Sequence, residues 1–222
     1  MNLRGSTLYD YADKDVTWTH NGTFVANTIS EKTSWTYFIP KMTFFDTSDI
    51  VTRSSLMSTS RTNFTIMFRY YSTANQNPGM SGTTILFNGD APLSPCPPIE
   101  NGFWGFLFTG ADSNSLQFNL IYVAGGNLGF FLISTEYIQE NRWYHIAFTV
   151  SDNGNGTSTA IGYLNGSETN KVTNFSPLTA PSGSTKIGGP GQAQSFSLTD
   201  IVFLEKVLTS SEVAAYSLSA YI

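Results

Sequence analysis

Residues 141–168 read NRWYHIAFTVSDNGNGTSTAIGYLNGSE and bring together Trp143, Tyr163 and His145, one of two histidines in the chain. An imidazole can act as a general base when a nucleophile and an orienting acid lie within hydrogen-bond reach. No Ser/Asp arrangement of diagnostic spacing accompanies His145, and His20 stands before an Asn-Gly turn. A packed imidazole that hydrogen-bonds locally is the simpler reading of His145. Retaining glycoside hydrolysis needs two carboxyls about 5 Å apart, which alternate residues on one strand face supply. No such run of alternating acids occurs; Glu136 and Glu140 are separated by Tyr137 and Ile138. The chain is therefore read as a non-enzyme.

A second set of residues suits binding. Asn88, Asp90, Asn101, Trp104 and Asp112 combine an aromatic platform with amides and carboxylates, which meets both the C–H faces and the hydroxyls of a sugar. They are the expected ligand-binding residues if their loops converge on one rim. Packing explains Trp104 equally, because Trp104, Phe106 and Phe108 share a strand face. Loop acids also suit calcium, a hard cation that takes clustered oxygens. Asp90 and Asp112 are the candidate ligands, with Glu100 and Asp152 the other loop acids. Ordinary polar turns account for all of them without a metal, and no other cofactor is expected. The single thiol, Cys96 in PLSPCPP, can form neither an internal disulfide nor, without other ligands, a zinc site.

The elements that must position these residues are strands. The 222 residues suffice for a sizeable core, with 12% charged and 14% aromatic residues and a net charge of −5. Such a composition suits an all-β protein with polar, uncharged turns. No Lys/Arg run is present to neutralise phosphates, so neither nucleic acid nor an anionic membrane is an expected partner. No apolar stretch is long enough to span a bilayer. The first residues lack the apolar core of a secretory signal.

Alternation in FTIMFRYY (64–71) puts Phe64, Ile66, Phe68 and Tyr70 on one face. Further strands are predicted at 83–89, 102–110, 116–123, 128–133, 184–190 and 196–208. VTWTHNGTFVANTI (16–29) reads as a hairpin, and Pro40 marks an edge strand or a break in 35–45. One helix is predicted, at 209–220, where Thr209 and Glu212 have capping-box spacing and Val213, Tyr216 and Leu218 offer an apolar face. With no repeat and no linker-like composition shift, one domain over 1–222 is the economical reading.

Within the opening segment, Tyr144, Ile146, Phe148 and Val150 form an inward face, followed by a polar turn and a strand ending Tyr-Leu-Asn-Gly. This hairpin resembles the signature of laminin-G-like domains in the concanavalin A-like lectin/glucanase superfamily. FTIMFRYYS (64–72) and KIGGPG followed by SLTDIVFLEKVLTSSEV resemble the family's early and closing strands. The resemblance spans roughly residues 60–220; residues 1–60 match loosely, and Phe196-Ser197-Leu198 replaces a glycine usual before the closing Asp. It implies a jelly-roll sandwich of two antiparallel sheets with one short C-terminal helix. It also implies calcium at the sandwich rim in some members, where Asn101 here stands near a position that carries Asp in those members.

Two functional readings follow. The first is a non-catalytic recognition module of lectin or laminin-G type that binds a glycan or a protein surface. The second is a structural subunit of a larger assembly, such as a viral capsid or appendage component, meeting neighbouring subunits. Fold alone does not choose between them.

Overall fold

The computed structural model describes residues 2–4, 7–9, 17–20, 30–32, 35–37, 42–44, 50–53, 62–72, 83–88, 104–110, 116–124, 127–134, 138–139, 141–176, 185–188 and 196–219. Side chains are described within 62–71, 117–134, 138–176 and 196–218, and at 185. Seven short strands come first: β1 (Asn2–Arg4), β2 (Thr7–Tyr9), β3 (Thr17–His20), β4 (Ser30–Lys32), β5 (Trp35–Tyr37), β6 (Met42–Phe44) and β7 (Ile50–Arg53). The longer strands follow: β8 (Phe64–Ser72), β9 (Thr83–Asn88), β10 (Trp104–Gly110), β11 (Leu116–Ala124), β12 (Asn127–Leu132), β13 (Trp143–Asp152), β14 (Ser158–Leu164) and β15 (Ser167–Phe175). Then come β16 (Thr185–Gly188), β17 (Phe196–Leu204) and the helix α1 (Ser210–Ser219).

One sheet has nine strands in the order β1-β2-β3-β7-β16-β9-β10-β11-β12, the other six in the order β15-β14-β13-β8-β17-β6; β4 and β5 pair separately. Every pairing within the two large sheets is antiparallel. The expected sandwich of two antiparallel sheets is what forms.

Alternation explains why the sheets meet as they do. Phe64, Ile66, Phe68 and Tyr70 of β8 and Tyr144, Ile146, Phe148 and Val150 of β13 are all buried in one cluster with Phe118, Leu120, Phe131 and Phe175. Aromatic rings bridge the two sheets: Tyr70 to Phe118 at 4.9 Å, Phe131 to Phe148 at 5.2 Å and Tyr122 to Phe175 at 4.6 Å between centroids. These contacts also order the sandwich along its strands, with Tyr122 and Phe175 at one end and Phe118 and Tyr70 toward the other.

The outer face of the six-stranded sheet holds a second, smaller core. Met67, Ala147 and Tyr163 pack there against Leu208 and Val213, so α1 lies across this face. Its start is capped reciprocally: the Glu212 N–H donates to Thr209 Oγ1 at 3.3 Å and the Thr209 N–H to Glu212 Oε2 at 2.8 Å. Lys206 donates to Glu212 Oε1 at 2.6 Å, and this bond, with those from Thr209, lowers the Glu212 pKa to about 2. The predicted apolar face of α1 is corrected in part: Val213 is buried, but Tyr216 is 43% and Leu218 67% exposed. With only ten residues, α1 commits its inward stripe to Val213 and to polar Ser217.

The other sequence-based expectations divide by how much apolar surface each strand shows. β17 ends at Leu204 rather than 208 because Glu205 and Lys206 turn the chain into the helix. The Asn165-Gly166 reversal is made, with φ of 51° and 83°, the left-handed pair a two-residue hairpin turn requires. β3 pairs with β2 and β7, not within the predicted 16–29 hairpin, whose residues 21–29 lie outside the described residues. The break expected near Pro40 falls between β5 and β6, and β6 is an edge strand on β17. β15 was not expected; its SETNKVTNF is mostly exposed and carries no apolar alternation.

The Phe148 ring touches Phe64, Phe131 and Phe175 at 6.2, 5.2 and 5.8 Å, so it joins both sheets at the centre. Phe148→Ala is expected to lower unfolding free energy by roughly 3–5 kcal/mol, measured by urea denaturation.

Candidate functional site

Asn88 closes β9 and Trp104 opens β10, and the two are direct cross-strand partners. Asp90 and Asn101 lie outside the described residues, two and three positions along the chain from that pair. Four of the five expected ligand residues therefore belong to one connection whose base is closed by strand pairing. Asp112, also outside the described residues, belongs to the next connection. Its segment leaves β10 at Gly110 and rejoins at Leu116, which are partners of each other at the far end of the strand. Six residue steps put that end about 20 Å from Trp104. A calcium site drawing on both Asp90 and Asp112 would need these two connections to approach each other along β10.

The register also says which face the Asn88–Trp104 row belongs to. Thr185 is opposite Asn88, Tyr122 opposite Trp104 and Gly129 opposite Tyr122. Cross-strand partners share a face, and in this row Thr185 is buried while Tyr122 packs on Phe175 of the other sheet. The Tyr122 ring fills the space a Cβ on Gly129 would need. Trp104, Phe106 and Phe108 stand opposite Tyr122, Leu120 and Phe118, the row of the sheet-to-sheet core. Trp104 thus takes a core register at the sandwich rim.

Asp152, one of the loop acids, has structural work. Asp152 Oδ1 accepts the Gly154 N–H at 2.8 Å inside the 152–157 turn. Asn153 donates to Thr157 Oγ1 and Thr173 O, and accepts from Thr159, so the turn satisfies itself. Among the described residues, no three His, Cys, Asp or Glu side chains gather as a metal site. Glu136, Glu140, Glu100 and Cys96 lie outside the described residues.

His145 sits on the outer face of the six-stranded sheet, opposite Arg69. Arg69 is 5% exposed; its Nε donates to Asp200 Oδ2 and its Nη2 to the carbonyls of Tyr216 and Ser217, all at 3.0 Å. A guanidinium on the last carbonyls of α1 supplies the donors that the helix end lacks. Asp200 reaches this position from a bulge in β17, with φ of 52°. His145 is 5% exposed, and its Nδ1 has no hydrogen-bond partner among the described residues. Burial first, then the Arg69 charge, lowers its pKa to about 4. The imidazole is packed beside a cation in this clamp under α1, as expected, but the local hydrogen bond expected of it is not made by Nδ1 among the described residues.

A second cluster lies beside the clamp. Trp143 is one residue out of phase with Tyr144, so it shares the outward face of His145 at the first position of β13. Its ring lies 5.2 Å from that of Tyr71, its register partner, at 41°. Tyr71 donates its hydroxyl to Asn141 Oδ1 at 3.3 Å. Asn141 adopts φ of 57°, which Asn tolerates better than most residues. Arg142 is exposed, with its Cζ 5.6 Å from the Tyr144 ring centroid. The available signal was phase: an aromatic preceding an inward-facing run must face outward.

Comparison with known proteins fits this architecture. Residues 45–214 match the laminin-G family described as the concanavalin A-like lectin/glucanases superfamily. No curated protein sequence matches the chain. Among solved structures, the receptor-binding domain of the botulinum neurotoxin C/D mosaic serotype superposes with a TM-score of 0.68 at 13% identity, over 97% of this chain and 49% of that one. The ligand-binding domain of botulinum neurotoxin serotype D, in complex with N-acetylneuraminic acid, gives 0.69 at 13% identity, over 97% and 49%. The binding domain of Paraclostridial Mosquitocidal Protein 1 gives 0.67 at 12% identity, over 98% and 51%. The chain thus spans about half the length of each. At such identities the likeness establishes the fold.

The clamp makes a pH prediction. With the folded pKa of His145 near 4 and the unfolded value near 6.5, the unfolded chain binds more protons between those values. Stability from this group is complete above pH 6.5, falls as pH drops, and levels off below 4. Urea denaturation from pH 6.5 to 4.5 is expected to show roughly 2–3 kcal/mol more loss in the parent than in His145→Gln.

Proposed function

Because this chain belongs to the laminin-G family of the concanavalin A-like lectin/glucanases superfamily, we propose that it acts as a non-catalytic recognition module for a glycan or a protein surface. The carrying observation is the superposition of nearly the whole chain on domains described as receptor- or ligand-binding. The ligand site of this reading is the β9–β10 rim, with Asn88, Asp90 and Asn101 as polar contacts and Trp104 at its base. Asp112 is left to a separate loop. Calcium, where bound, would use Asp90 with carbonyl oxygens of the same connection.

Recognition through such a rim is chemically coherent. A rigid sheet fixes the ends of the connection, and the loop supplies amides and carboxylates for sugar hydroxyls. Two sheets that fill their interior with Phe and Tyr rings leave the chemistry to loops and outer faces.

A glycan array probed with and without calcium tests the proposal. Saturable binding that Asn88→Ala or Asp90→Ala weakens by about tenfold or more is the expected result. Calcium dependence lost in Asp90→Ala would assign the metal. Silence on glycans with concentration-dependent self-association in sedimentation would overturn the lectin reading in favour of a structural subunit. Turnover of a β-glucan would overturn the non-enzyme reading.

A further inference from the structure

We propose that Asn155, at the tip of the turn between β13 and β14, is a site of spontaneous covalent modification, where the side-chain amide is lost to give aspartate and isoaspartate. The site is independent of the recognition reading. Three Asn-Gly pairs have both residues described: Asn153-Gly154, Asn155-Gly156 and Asn165-Gly166. Local sequence makes them nearly equivalent, and the fold separates them.

The chemistry sets the requirement. The Gly amide nitrogen gives its proton to solvent base and attacks the Asn Cγ, closing a cyclic succinimide. The Nδ2 group takes up a proton and leaves as ammonia. Water then adds to either ring carbonyl and breaks one C–N bond. The product is aspartate on the normal backbone, or isoaspartate with the backbone routed through the side chain. Ring closure needs the side chain to swing toward the next backbone nitrogen, so an anchored amide or a wedged glycine resists it.

Asn153 is anchored on three sides. Its Nδ2 donates to Thr157 Oγ1 at 2.9 Å and to Thr173 O at 2.8 Å, and its Oδ1 accepts from Thr159 Oγ1 at 2.8 Å. Asn165 accepts the His145 N–H on its Oδ1 at 3.0 Å and donates its own N–H to the His145 carbonyl at 2.7 Å. Gly166 beside it is hemmed in by Ala214 and Ser217 of α1. Asn155 has neither restraint. It is exposed, its Nδ2 has no partner among the described residues, and its Oδ1 bonds only within its own turn. Gly154 and Gly156 have nothing within 4 Å of where a Cβ would stand, so the flanking peptides have room to rotate. The two donors on Asn155 Oδ1, the Thr157 N–H at 3.1 Å and the Thr157 hydroxyl at 2.7 Å, stand at the oxygen that becomes negative as the ring closes.

The new carboxylate arises at the same end of the sandwich as the Asn88–Trp104 pair. Asp152 pairs with Ser158 and Ser158 with Phe175, which packs on Tyr122, the partner of Trp104.

The test is residue-resolved peptide mapping by mass spectrometry, with aspartate and isoaspartate products separated, on the folded full chain held in mildly alkaline buffer. Asn155 is expected to convert about fivefold or more faster than Asn153 or Asn165, the factor that a retained hydrogen bond or two imposes. In urea, where the fold no longer distinguishes the pairs, the three rates should fall within about threefold of one another. Asn155→Gln, an exposed change, should remove the early product and leave the two slower ones. Conversion at Asn153 or Asn165 as fast as at Asn155 in the folded chain would overturn the proposal. So would a folded chain that keeps its Asn155 amide while the urea-unfolded chain loses it, or a lead for Asn155 that persists undiminished in urea.

Discussion

Ring packing between the sheets holds the domain together, and Phe148 is central to it, in contact with both sheets through Phe64, Phe131 and Phe175. Each sheet is a ladder satisfied in its own plane, and neither has reason to face the other except through apolar area removed from water. Edge-to-face packing then fixes how the sheets lie, since rings meet at angles rather than flat. The Phe131–Phe175 and Phe148–Phe175 pairs, at 89° and 68°, show that preference. Filling the interior this way leaves the outer faces to other tasks.

The outer face of the six-stranded sheet divides into a part under α1 and a half-buried part beyond it. Arg69 draws the last carbonyls of α1 down beside Asp200, and Gly166 admits the helix closely, with Ala214 Cα and Ser217 Cβ each 3.0 Å from where its Cβ would stand. Burial, with the Arg69 charge, keeps His145 neutral above about pH 4. Where the helix stops, Trp143 and Tyr71 begin. The short helix thus sets the boundary between packing and surface.

Much of this was legible in the chain, and the limits have physical causes. Strands with one apolar face, such as β8 and β13, declare themselves, because burial demands alternation. The capping box of Thr209 and Glu212 and the Asn165-Gly166 turn are equally plain, since only a few residue types suit those backbones. β15 hides because an exposed strand needs no apolar pattern. Leu218 misleads because periodicity gives a helix an apolar stripe without saying where its partner sheet ends. The site was harder still. Asn88 and Trp104 are sixteen positions apart in chain yet cross-strand partners, and nothing in local sequence separated their end from that of Asp112. The outward Trp143 was readable from phase, but the same phase made its neighbours a core strand and drew attention inward.

β12 and β15 are edges of different sheets, yet Asn170 Nδ2 donates to Leu132 O at 2.8 Å and Thr169 Oγ1 donates to Ile133 O. These two side chains stitch one flank of the sandwich shut. An open edge is a template on which a second chain can extend a sheet. Here the acceptors just past the β12 edge are already taken, and the exposed β15 carries Lys171. Strand addition on this flank would have to break both of these bonds, which gives the domain a polarity in how it can be joined to others.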